Sequence, residues 1–121
     1  MSAFSDFVEE LLAGLGPISI RRMFGGAGVY AGPVIFGLII DDVLYLKADE
    51  ALKADLAAEG SAPWVYVMPK GPRAGQAAST AYWRLPESAL DDPDEAVAWA
   101  RRALAVAENA PRPKRKARRA P

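Results

Sequence analysis

Near the N-terminus the apolar residues Phe4, Phe7, Val8, Leu11, Leu12 and Leu15 recur at i, i+3, i+4, i+7, i+8 and i+11, along one face of a helix. Ser2 or Ser5 can cap its start, and Gly14 with Gly16-Pro17 ends it. From Ile18 the period changes to short apolar and β-branched runs at residues 18–24, 28–31, 34–40 and 43–48. Gly32-Pro33 and Asp41-Asp42 separate the last three by two residues each, which predicts a four-strand antiparallel meander. Residues 34–40, VIFGLII, are apolar on both alternating sets, as suits a central strand covered on both faces. Leu44 and Leu46 alternate with Val43, Tyr45 and Lys47, so the fourth strand is expected to be less deeply placed.

Asp49 is positioned to cap a second helix over residues 50–59, with Leu52 and Leu56 facing inward and Gly60 stopping it. Residues 64–68 and 80–85 predict a two-strand hairpin, joined by the Gly- and Pro-rich 69–79 segment PKGPRAGQAAS, a long mobile loop. Asp92, Pro93, Asp94 and Glu95 mark the start of a last helix, with Glu95 completing a capping box and Val97, Ala100, Leu104 and Ala107 facing inward. The expected fold class is α+β, with one domain over residues 1–109 and a disordered basic tail over 110–121.

Composition removes several kinds of chemistry. The 121 residues contain neither Cys nor His, which excludes disulfides, thiolate nucleophiles, the usual zinc ligand sets and imidazole acid/base catalysis. No metal or cofactor is expected. No apolar run approaches the ~18 residues of a membrane span, and Asp6, Glu9 and Glu10 occupy the place of a secretory apolar region, so a cytoplasmic protein without a membrane partner is expected. Charge is balanced overall at 15 basic and 15 acidic residues, but six of the basic ones lie in residues 111–121, which leaves nine against fifteen in the body. An acidic body carries a basic tail.

Residues 21–30, RRMFGGAGVY, are the densest motif, with two arginines, a Met-Phe pair, three glycines and a tyrosine. Residues 26–31 match G-x-G-x-x-A, but a dinucleotide loop needs a helix to open inside the pattern, and here Gly32-Pro33 and a strand follow. Gly25-Gly26 is better read as a hairpin feature that permits positive φ, a bulge or close approach, with an aromatic ring packed over it. Arg21 and Arg22 fall on opposite faces of a strand, one expected to be solvated and the other to lie over the sheet and pair with a carboxylate. The alternative is that one arginine, Arg22, forms with Tyr30 and Lys47 a small anion-binding site. The acidic pairs at 41–42 and 91–92 suit a turn and a helix cap. Trp64, Tyr66, Tyr82 and Trp83 are expected as cross-strand core pairs rather than as a base-stacking surface. The tail cations Arg112, Lys114, Arg115, Lys116, Arg118 and Arg119 suit weak, salt-sensitive nucleic-acid contact.

Arg21, Arg22, Met23, Phe24, Gly25 and Gly26, the LYLKAD run at 44–49, Leu85-Pro86-Glu87 and WARRAL at 99–104 together resemble the N-terminal domain of the TfoX/Sxy competence regulators. The resemblance covers roughly residues 4–107. It implies a secretion-chaperone-like α+β fold and a non-enzymatic regulatory or adaptor role, with a protein partner such as a cyclic-AMP receptor protein homologue. The helical second domain that such regulators carry is not in this sequence. A monomer or a homodimer is expected.

Overall fold

The computed structural model describes residues 3–23, 25–67, 71–72 and 75–110. Phe24, Ser2, Met68, parts of the 69–79 loop and the six tail cations therefore lie outside the described residues. Helix α1 (Ala3–Leu11) is followed by a 3-10 turn at Ala13–Leu15. Its buried residues are Ser5, Val8 and Leu11; Leu12 just beyond is also buried, and Phe4 and Leu15 pack at the margin. Ser5 sits inside the helix and is not its cap. Phe7 is 37% exposed, with its ring 5.9 Å from that of Phe4.

The meander forms as expected: β1 (Ser19–Met23), β2 (Gly26–Ala31), β3 (Val34–Ile40) and β4 (Val43–Lys47) pair antiparallel in succession. Gly25 has φ +76° in the first turn, and Asp41 and Asp42 both have positive φ in the third, the geometry of a tight primed hairpin turn. Gly26 is required by close approach, since a Cβ there would sit 2.5 Å from the carbonyl oxygen of Ile39 on β3. After α2 (Glu50–Ala58) come β5 (Pro63–Val67) and β6 (Ala77–Arg84), which pair with each other. Their hairpin does not stand apart. β6 inserts beside β4, giving one six-stranded sheet in the order β1-β2-β3-β4-β6-β5.

Asp49 caps α2 as the sequence implies, its Oδ1 accepting from the Leu52 N–H at 2.9 Å. A 3-10 turn at Glu87–Asp91 then leads into α3 (Pro93–Asn109), where Asp92 Oδ1 accepts from the Glu95 N–H at 3.2 Å. The reciprocal half of the capping box is not made. The Asp92 N–H donates to Ala89, while the Glu95 carboxylate accepts from Ser88 Oγ at 2.8 Å and Trp99 Nε1 at 3.1 Å, tying the turn to the helix. The fully buried residues of α3 are Ala96, Ala100 and Ala103, and of the expected inward line Ala100 is among them while Leu104 and Ala107 pack against the core partly buried. Small residues there let the helix lie close across β3 and β4.

One core results. Val8, Leu11 and Leu12, Ala27 and Val29, Phe36 and Ile39, Leu44 and Leu46, Leu52 and Leu56, and the α3 alanines form a single cluster. Every buried residue of the three helices except Ser5 belongs to it, so the helices share one side of the sheet. β3 is thus helix-covered on one face rather than on two.

Candidate functional site

Strand alternation assigns the outward face. In β2, Ala27 and Val29 enter the core, so Gly26, Gly28 and Tyr30 point the other way. The β1 register pairs Ser19, Arg21 and Met23 with Tyr30, Gly28 and Gly26, which puts all three on that outward side. An irregularity opposite Val29/Tyr30 makes Phe36 the extra residue of β3. Phe36 therefore joins the core, while Ile35, Leu38 and Ile40 face outward. From Leu38 the register continues to Tyr45 and then to Arg84, and Lys47 pairs with Tyr82.

The outward face is aromatic and cationic. The Arg21 guanidinium lies 4.8 Å from the centre of the Tyr30 ring, and Lys47 Nζ lies 5.9 Å from that of Tyr82. Tyr45 and Trp64 are 6.3 Å apart, and Tyr66 meets Trp64 edge-on at 5.9 Å. Thr80 braces this end, donating from Oγ1 to the Trp64 carbonyl at 2.9 Å and accepting from the Tyr82 N–H at 3.1 Å. Burial pushes the Tyr82 hydroxyl above its ordinary pKa, and the neighbouring Tyr30 adds to the shift.

Charge is segregated by secondary structure. The charged residues of the six strands are Arg21, Arg22, Lys47 and Arg84, and every acid of the described chain lies in a helix or a connection. Among the described residues none of these four cations makes an ion pair; the two bridges, Lys53–Glu50 and Arg102–Asp55, lie on helices. No group of acidic side chains that could hold a metal occurs among the described residues. No described helix is long and apolar enough to cross a membrane.

Of the residues singled out by sequence, Arg21, Met23, Tyr30 and Lys47 share the outward face. Arg22 does not: it pairs with Ala27 and stands exposed on the helix side of β1, so Arg22, Tyr30 and Lys47 do not converge as an anion site. Gly28 gives the Tyr30 ring room, because a Cβ there would lie 2.9 Å from both Tyr30 Cε1 and Ile35 Cδ1. The four late aromatics divide. Trp83 pairs with Leu46 and packs against the core, whereas Trp64, Tyr66 and Tyr82 face outward, against the expectation of core pairs. Sequence reasoning missed Tyr45 and Arg84. Alternation against Leu44 and Leu46 pointed to Tyr45, but Arg84 required the β4–β6 register.

No curated protein matches the chain. The model of the TfoX N-terminal domain matches residues 10–107, from α1 to the penultimate turns of α3. That match spans the whole sheet and the RRMFGG hairpin at its edge, and the chain belongs to the TfoX N-terminal domain family.

Proposed function

We propose that the chain is a non-enzymatic regulatory adaptor of the competence-regulator kind, and that it docks a macromolecular partner on the outward sheet face. The observation that carries this reading is the segregation of charge: the outward strand cations Arg21, Lys47 and Arg84 stand among five aromatic rings with no acid on any strand, while the acids lie in helices and connections. The core cluster lies on the helix side; on the outward face the rings partly cover Leu38, while Arg21, Tyr66 and Arg84 are exposed and available to a partner. The basic segment after Ala110 adds salt-sensitive nucleic-acid contact. A partner in the transcription machinery fits the family.

The test is affinity capture from native cytosol, with and without nuclease, comparing the wild-type chain with an Arg21→Ala/Lys47→Ala/Arg84→Ala variant and with a helix-side control, Arg101→Ala. The reading expects partners that the face variant loses and the control keeps. Identical captures by all three would sink it.

A further inference from the structure

The outward face has a narrower chemistry than a general docking surface. A protein partner of ordinary composition brings both signs of charge to an interface. Among the described strand residues of this face every side chain that can form an ion pair is a cation, and each lies next to a ring: Arg21 on Tyr30, Lys47 on Tyr82, and Arg84 in register with Tyr45. Beyond Tyr45 the rings continue outward to Trp64 and then to Tyr66, which is 41% exposed on the edge strand β5. Alternating flat π surfaces and fixed positive charges complement a polymer that alternates flat bases and phosphates.

Resting on the reading of this face as the docking surface, we infer that its occupant is a single-stranded nucleic acid. Trp64, Tyr66 and Tyr45 stack unpaired bases, and Arg21, Lys47 and Arg84 meet the phosphates. The Arg21 guanidinium, 4.8 Å from the centre of the Tyr30 ring and exposed, is within reach of a phosphate or a base. A duplex is the poorer occupant, because its bases are already stacked on one another and offer no ring face to Trp64. Ala110, the last described residue, lines a groove with Lys47, Asp49, Leu52, Arg102 and Val106 between α2 and α3, on the helix side of the sheet, so the tail is not part of the proposed face. Stacking reads no base edge, so binding is independent of sequence, and thymidylate and uridylate oligomers bind comparably.

The experiment uses the full chain and fluorescein-labelled oligothymidylate and oligouridylate of about 16 nucleotides, a site size at the upper end for one small domain. Controls are a duplex of equal length and polyglutamate. Anisotropy reports binding, and tryptophan emission reports stacking on Trp64. Expected are saturable binding with quenching of tryptophan, a roughly tenfold loss in Tyr66→Ala, and loss of the quench but not of binding in Trp64→Phe. Tyr66 is exposed, so its truncation leaves the fold intact; a thermal melt checks this. With the six tail cations changed to serine, binding weakens but the quench persists, and log K falls with log salt at a slope of about −2 for three phosphate contacts. Equal or tighter binding of duplex or polyglutamate overturns the inference, as does absence of binding. So does complete dependence on the tail with no quench. In each of these cases the capture experiment still decides separately whether the face docks a partner.

Discussion

Gly26→Ala tests whether the RRMFGG hairpin is fixed by backbone proximity. The added methyl would stand 2.5 Å from the Ile39 carbonyl oxygen and 2.9 Å from Ile40 Cδ1, where about 3.4 Å is needed. Ile40 Cδ1 can rotate aside, but the Ile39 carbonyl belongs to β3, a strand packed under α3. Relief therefore requires β2 and β3 to part at this point. Overpacking of a well-filled site costs roughly 1–3 kcal/mol, and an immovable backbone partner puts Gly26→Ala toward the upper end. Loss of glycine's unfolded-state entropy returns about 0.4–1 kcal/mol, so a net destabilisation of about 2 kcal/mol is expected. Gly28→Ala is the internal control: its overlaps, 2.9 Å to Ile35 Cδ1 and Tyr30 Cε1, are with side-chain ends that can move. Its cost should stay near 1 kcal/mol or below. Urea unfolding of both variants at constant m-value measures the difference. A Gly26→Ala protein as stable as wild type, or less perturbed than Gly28→Ala, would refute the argument.

Three further outcomes follow from the same structure. Phe36→Ala empties a fully buried site under the helices and should cost about 3–5 kcal/mol by denaturant unfolding; a loss under 1 kcal/mol would contradict its place in the core. Asp49→Ala removes the acceptor for the Leu52 N–H and should cost about 1 kcal/mol, with faster amide exchange in the first turn of α2, whereas Asp49→Ser should retain most of the stability. Tyr82 has its folded pKa raised, so the unfolded chain gives up this proton first as pH rises past about 10, and stability present below that pH declines above it. In Tyr82→Phe the alkaline fall in melting temperature should be shallower; an unchanged profile would show that burial of the hydroxyl does not matter.

The helices were legible because their signals are local. Asp49 and Asp92 cap the helices that their positions announce, and the 3.6-residue repeat of Phe4 to Leu15 marks α1 with its buried side. The meander was equally legible, since two-residue turns leave adjacent antiparallel pairing as the simple solution. The hidden part is what depends on register. A run apolar on both alternating sets, VIFGLII, does not say that a bulge at Phe36 sends two consecutive residues toward the helices and leaves Leu38 on the other face. Nor does local sequence say that β6 rather than β5 lies beside β4, the choice that joins Tyr82 to Lys47 and Arg84 to Tyr45.

The candidate face shows the same division. Alternation placed Arg21 and Arg22 on opposite sides, but which of them meets Tyr30 awaited the pairing of Arg21 with Gly28. The aromatic residues were visible in the chain; whether each ring is core or surface depends on strand order and parity, which send Trp83 inward and Trp64, Tyr66 and Tyr82 outward. By itself, then, the sequence determined the α+β class, the order of elements, the helix caps, the exclusion of Cys and His chemistry and the family. The tertiary structure alone decided that all three helices share one side of the sheet and that cations and rings from β1, β2, β4, β5 and β6 gather on the other. Helix caps and tight turns are contacts within a few residues, whereas a sheet face is assembled from residues up to 63 positions apart, as Arg21 and Arg84 are, and only the inter-strand register brings them together.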